Sequence, residues 1–312
     1  MSVDINHEIK NTHVTLISKQ SGFSLIELMI AMALGLLVMF SVLQIFTASM
    51  QSTVIQNAFA RVQENGRMSI ELISRDIRVA DFWGCLHDTS LITNHLDSSY
   101  DASIIATNQL GITGSNDVSN STIENISVLD NTDTLTLRGA KSFSNVKVTS
   151  PHMINNASDI TVINGAGISN GDVVMISDCQ GADLFSNTSN SSTILSHSEA
   201  LSNVYSSSAQ ILSPYYKTYF IGINSTGGSS LYANDNGTAQ EFIRGITDLQ
   251  ITFGEDTNSN GTADQFSTAP DVSDMNEVLS IRFELTSQHS GGAEKIQKNY
   301  TLTTNIRNRT LQ

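Results

Sequence analysis

Between Lys19 and Arg61 the chain carries a single charged residue, Glu27, set four residues into an apolar run that begins at Phe23. The run is strongly apolar to Phe40 and continues weakly to Phe46. As a helix it is long enough to cross a hydrocarbon core of roughly 30 Å. A carboxylate inside such a segment costs on the order of 3 kcal/mol at mid-bilayer and less near a helix end, so something must compensate it. The residues ahead of the run, Met1 to Gly22, are polar. They do not follow the order of a secretory signal, in which a basic start and an apolar stretch precede small residues at a cut site. Here the small residue, Gly22, comes before the apolar stretch. A cut after Gly22 removes a polar leader and exposes the ammonium of Phe23, with Glu27 in the first helical turn, where the helix dipole favours an anion. Buried carboxylates are tolerated when paired, and the Phe23 ammonium of the same or a neighbouring helix is the expected partner.

No proline interrupts Phe23 to Asp81. From Gln51 to Ala80 the residues Ile55, Phe59, Val62, Ile70, Ile73 and Ile77 recur at helical spacing, which predicts an amphipathic helix packed on something. Span and stripe together predict one helix of nearly sixty residues, about 85–90 Å long at 1.5 Å per residue. Arg61, Glu64, Arg67, Glu71, Arg75 and Arg78 occupy mostly other positions, with Arg67–Glu71 and Glu71–Arg75 spaced for surface pairs. Most of these charges read as a solvated face; the alternative is that some meet neighbouring subunits.

After Trp83-Gly84-Cys85 the helical signal stops. Short β-rich segments follow at Thr134–Leu137, Asp159–Ile163, Asp172–Ile176, Tyr219–Ile223, Leu249–Phe253, Leu279–Leu285 and Tyr300–Thr304. Gly, Asn and Asp clusters separate them, the pattern of antiparallel strands joined by turns. The Ser/Asn-rich stretch from Ser186 to Gln210 reads as a long surface loop or insertion. The expected domains are a leader (1–22), a membrane or filament-core half-helix (23–46), an amphipathic half-helix (47–82) and a β-rich extracytoplasmic body (83–312).

The formal net charge is −14, and the leader's Asp4, Glu8, Lys10 and Lys19 cancel, so the charge belongs to the mature chain. A body this acidic lacks the clustered cations that phosphate-backbone binding requires, and no direct nucleic-acid partner is expected. Lys10 and Lys19 ahead of the span predict a cytoplasmic N-terminus and a periplasmic body. Cys85 and Cys179 are the only cysteines, and in that compartment they are expected to form a disulfide. In the chain-entropy account such a bridge contributes roughly 4 kcal/mol. The alternative is two buried thiols.

The string Lys19-Gln20-Ser21-Gly22-Phe23-Ser24-Leu25-Ile26-Glu27 resembles the prepilin leader-peptidase site of type IV pilins and type II secretion pseudopilins. The resemblance implies cleavage after Gly22, N-methylation of Phe23 and assembly through Glu27. One departure is Gln44, which stands where major pilins usually carry a helix-kinking proline. Further segments are similar to PilW-type minor pilins: Arg61-Val62-Gln63-Glu64-Asn65-Gly66-Arg67, Arg75-Asp76-Ile77-Arg78, Trp83-Gly84-Cys85, Gly171–Cys179, Gly245–Gln250 and the ending Thr303–Arg309. That resemblance implies an α+β, pilin-like lollipop, one long N-terminal α-helix packed on an antiparallel β-sheet-rich globular body. It also implies a subunit that primes type IV pilus assembly near the tip. The partners implied are other minor pilins, the major pilin, the prepilin peptidase/methyltransferase, the bacterial inner membrane and a tip adhesin. The route ends at the pilus and cell surface.

Asp256, Asn258, Asn260 and Asp264 occupy positions 1, 3, 5 and 9 of a loop with Gly261 at position 6, the front half of a calcium loop. Position 12, where a bidentate Glu is expected, is Ser267. The alternative is a polar hairpin turn closed by its own side chains. No cofactor is otherwise required. The chain has no His-Glu-x-x-His, Gly-x-Ser-x-Gly, phosphate loop or Cys-x-x-Cys, and His87 reads as a surface or packing residue, so no catalytic residue is named and no enzyme is expected. The leading reading is a minor pilin. A type II secretion pseudopilin shares the leader, whereas a membrane-anchored adhesin or carbohydrate-binding module does not explain Gly22, Phe23 or Glu27.

Overall fold

The computed structural model describes residues 22–86, 88–96, 111–292 and 294–309. The leader up to Ser21, with Lys10 and Lys19, and also His87, lie outside the described residues. The chain divides into two compact units, 1–53 and 54–312, and helix α1, Leu25–Val79, belongs to both.

In the first unit every described residue is exposed, including Leu25, Met29, Met32, Leu36 and Phe40. The helix satisfies its own backbone hydrogen bonds, the condition for entering lipid. Its apolar surface is far more than a soluble chain leaves bare.

In the second unit the buried face of α1 is Ala58, Val62, Gly66, Ser69, Ile73, Ser74 and Ile77. Val62, Ile73 and Ile77 from the expected stripe are on it. Ile55 and Phe59 are not: they are 41% and 47% exposed. What marks the contact is small residues as much as apolar ones. A Cβ on Gly66 would stand 2.1 Å from Cε2 of the Tyr300 ring, far inside van der Waals contact, and the hydroxyl of that ring donates to Val62 O at 3.3 Å. Gly costs a helix interior about 1 kcal/mol relative to Ala, and here it admits a ring against bare backbone. Asn65 donates to Arg244 O at 2.9 Å beside it. Among the described residues neither expected pair, Arg67–Glu71 or Glu71–Arg75, closes; Arg75 lies 3.4 Å from Asp76 instead.

The remainder is strand and turn. First come β1 (Ile92–Asn94), β2 (Ile112–Val118), β3 (Thr122–Ile123), β4 (Ile126–Ser127) and β5 (Thr132–Ser142). Then follow β6 (Lys147–Val148), β7 (Ile160–Ile163), β8 (Val173–Asp178), β9 (Gly181–Ser186) and β10 (Ile194–Leu195). Last are β11 (Gln210–Ile223), β12 (Ser229–Asp235), β13 (Thr238–Arg244), β14 (Ile246–Glu255), β15 (Gln265–Ser267), β16 (Val278–Gly291) and β17 (Glu294–Asn305). Every segment expected as a strand is one. The largest sheet runs β1-β9-β8-β11-β12-β13, with β5 on β11 and β2 on β5; β15-β14-β16-β17 form a second sheet and β10-β7-β6 a third. Pairing in the two larger sheets is antiparallel, except that β1 lies parallel to β9. The fold is α+β, as expected.

Cross-strand pairs Leu249–Leu285, Ile251–Phe283 and Phe253–Ile281 put one face of β14 and β16 into a core shared with Ile73 and Ile77 of α1 and with Tyr219, Ile221 and Leu231 of the large sheet. A second core gathers Val162, Ile176, Phe185, Leu195, Leu201 and Tyr205. Three of these belong to the stretch read as a surface loop. It is pinned through Asp183, which is fully buried and accepts from Ser202 N at 2.9 Å, Tyr205 Oη at 2.7 Å and His95 Nε2 at 2.7 Å. Burial pushes Asp183 up, but the donors, Tyr205 foremost, hold it below the usual carboxylate range. The anchors are too irregularly spaced within Ser/Asn sequence to show a period.

Asp76 fastens α1 to β11. Its Oδ2 accepts from Lys217 Nζ and Tyr219 Oη, each at 2.8 Å. Burial raises the carboxyl, while Lys217 and Tyr219 outweigh it and leave Asp76 below its ordinary value. The contribution of such a group is complete above its unfolded value and is lost as pH falls through the folded one. Asp76→Asn is therefore expected to lower stability at neutral pH by about 1.5–3 kcal/mol, the worth of hydrogen bonds to a charged group. The gap from the parent chain should close in acid, as followed by thermal melting across pH. A gap that stays constant or widens in acid contradicts this.

Candidate functional site

The first turn of α1 explains part of how Glu27 is held. Ser24 precedes the helix, and its backbone N–H donates to Glu27 Oε2 at 3.3 Å; its carbonyl accepts from Leu28 N at 3.2 Å. This is one arm of a capping box, in which a residue three positions into the helix reaches back to the N-cap. The signal, Ser24-x-x-Glu27 ahead of an apolar run, was legible in the sequence and has nothing to do with charge pairing. Gly22 and Phe23 lie just outside the helix, with Phe23 85% exposed. The junction expected to be cut is thus unencumbered on its described side, and the carboxylate stands on the first turn.

At the other end of α1, the residues of the C-terminal tail close the helix. Asn308 Nδ2 donates to Val79 O at 3.3 Å and to Ala80 O at 2.8 Å, satisfying carbonyls that a helix end leaves open. Asp81 follows in a left-handed conformation, φ 60°. Its Oδ1 accepts from Trp83 Nε1 at 2.7 Å and Gly111 N at 3.0 Å, and its Oδ2 pairs with the buried Arg309. Arg309 Nη1 also donates to Val278 O at 2.8 Å. The ending singled out by resemblance therefore works as a clamp, joining α1, the turn after it, β2 and β16.

Two residues past Trp83, Cys85 is bonded to Cys179, with the Cα atoms 5.0 Å apart across a sequence separation of 94. The turn after α1 is thereby tied to the β8–β9 hairpin. Ser177 Oγ donates to Trp83 O at 3.0 Å alongside it.

The Asp256 loop joins β14 to β15. Asp256, 4% exposed, accepts backbone N–H bonds from Asn258 at 3.3 Å, Asn260 at 3.1 Å and Gly261 at 2.6 Å. Burial raises its carboxyl and these donors, Gly261 first, more than reverse the shift. Asn260 Oδ1 accepts from Thr262 N at 2.9 Å, and Asp264 Oδ2 lies 3.5 Å from Thr257 Oγ1. The four candidate ligands share one loop, but the carboxylate at its head is occupied by the loop's own backbone. Among the described residues no group of three or more His, Cys, Asp or Glu side chains stands together as metal ligands do.

Two family models match the chain. Residues 17–43 match the prokaryotic N-terminal methylation motif, and residues 218–310 match type IV pilus-assembly protein W. The two ends of the chain are thus similar to those of a PilW-type pilin with a prepilin leader. The second match runs from β11 through the tail that clamps α1, and so covers the sheet on which the helix packs. No curated protein and no solved structure matches the chain. Pilin matches point to a structural rather than a catalytic role. The apolar helix with its methylation motif fits a pilin anchored in the inner membrane.

Two outcomes follow. Asp81→Ala strands the buried Arg309 guanidinium and is expected to cost about 3–5 kcal/mol, measured by chemical denaturation; a loss below about 1 kcal/mol places the pair at the level of a surface bridge. Asp256→Ala is expected to lower the melting temperature in calcium-free buffer, since it opens a turn, and calorimetric titration of the parent chain with millimolar calcium is expected to give no heat. Heat that disappears in the variant identifies an ion site instead.

Proposed function

We propose that the chain is a non-enzymatic minor pilin that helps prime type IV pilus assembly and sits at or near the pilus tip. The observation that carries this is the junction Gly22-Phe23 followed by Glu27 on the first turn of an apolar helix. Cleavage after Gly22 by a prepilin peptidase, followed by N-methylation of Phe23, generates a terminal ammonium next to a carboxylate that lipid alone would penalise. Glu27 then pairs with the Phe23 ammonium of a neighbouring subunit, a related minor pilin or the major pilin. The N-terminus faces the cytoplasm and the body the periplasm, before the body is displayed at the cell surface, where it is available to a tip adhesin. The Cys85–Cys179 bridge supports an oxidising compartment for the body.

A type II secretion pseudopilin shares the leader. The match of residues 218–310 to a pilus-assembly family favours the pilus, and co-purification with pilus rather than secretion components discriminates the two.

Mass spectrometry of the mature N-terminus tests the class: a chain starting at methylated Phe23 is expected, and an uncut chain refutes the reading. The capping contact allows a sharper test of assembly. Glu27→Gln keeps an oxygen for the Ser24 N–H but removes the charge, whereas Glu27→Ala removes both. If charge pairing drives assembly, both variants insert in the membrane and both lose incorporation into filaments. Normal incorporation of Glu27→Gln would leave capping as the residue's whole role.

A further inference from the structure

A groove of about 360 Å³ opens beside the last turn of α1, lined by Arg78, Lys141 and Arg307 over a floor of Val79, Phe82 and Tyr215. In a chain with 16 Lys and Arg against 30 Asp and Glu, three cations at one opening are a local reversal of the overall charge. Each nearby carboxylate has a cation of its own outside the groove, Asp76 with Lys217 at 2.8 Å, Asp235 with the same Lys217 at 3.7 Å and Asp81 with Arg309. Among the described residues Arg78 and Lys141 pair with no carboxylate; the Lys141 ammonium rests 4.4 Å from the centroid of the Tyr215 ring. The floor is apolar, and Val79 is 51% exposed on it. Two of the three cations come from backbone that is tightly fixed, because Arg307 N donates to Arg78 O at 3.3 Å and Asn308 caps the helix end.

We propose that this groove docks a segment of a second protein that presents a carboxylate beside an aliphatic side chain. Arg78 and Lys141 meet the carboxylate through charge-assisted hydrogen bonds, and the aliphatic group covers Val79 and Phe82, removing apolar surface from water. A polypeptide fits better than an inorganic anion, which satisfies the cations but leaves the floor wet. Charge complementarity of this kind fixes the orientation of a partner and speeds its capture. The docking surface stands whether or not the chain enters a filament, so its failure and that of the pilin reading are separable.

The test uses the full chain in detergent micelles and a fluorescent peptide of alternating Glu and Leu, with the matching Gln and Leu peptide as control, read by fluorescence anisotropy. The acidic peptide is expected to bind and the Gln peptide not. The double variant Arg78→Gln/Lys141→Gln is expected to weaken binding by about tenfold or more, as loss of charge-assisted bonds implies, with its melting temperature unchanged. The charge-conserving Arg78→Lys/Lys141→Arg is expected to retain binding, and so is Lys147→Gln/Lys295→Gln, which removes two exposed cations elsewhere. Equal affinity for the two peptides overturns the proposal, as does equal loss in the Lys147/Lys295 variant. Displacement by inorganic phosphate as readily as by unlabelled peptide also overturns it, since the site is then one for a small anion.

Discussion

The contact that organises the second unit is the close approach of α1 to the β14–β16–β17 sheet at Gly66. Tyr300 can lie on the helix only because no side chain stands there, and the neighbouring Asn65 and Ser69 leave the same face shallow. Two and three helical turns past Gly66, Ile73 and Ile77 enter a core supplied by both large sheets. Shallow contact followed by deep insertion aligns the helix on the sheet, and polar fasteners then hold the alignment. Asp76 does so toward β11, and the Asp81–Arg309 pair does so at the helix end.

The tail after β17 is consequently part of the helix's environment. Ile306 is fully buried in the main core, Asn308 caps carbonyls at the end of α1, and Arg309 neutralises Asp81. The family match to residues 218–310 ends on these positions. Buried ion pairs contribute little net stability but are costly to break, so this one acts chiefly as a constraint on how the tail and helix meet. The disulfide from Cys85 adds a covalent constraint immediately after the same turn.

Much of this was visible in the primary structure. The helix, its apolar first part and all seven proposed strands followed from period and composition, because those signals are local. Burial within the helix was read less well. Ile55 and Phe59 looked like core and are exposed, while Ala58, Gly66 and Ser69 looked neutral and are buried, since the packed face was selected by room for a ring rather than by hydrophobicity. The stretch from Ser186 to Gln210 was read from its polar majority, although Leu195, Leu201 and Tyr205 anchor it. The capping role of Glu27 is legible as Ser24-x-x-Glu27, a local signal separate from its charge.

Sequence alone determined the order of polar leader, small residue, apolar run and lone carboxylate, because chain order and transfer cost do not depend on folding. It also determined that a long unbroken helix would be followed by antiparallel strands, for period and turn residues are properties of neighbours in the chain. Tertiary structure decided which face of that helix is buried, that Cys85 meets Cys179, that Arg309 finds Asp81, and that Arg78, Lys141 and Arg307 share one groove. These residues lie tens to hundreds of positions apart, and only the closing of both sheets around the helix brings them within reach.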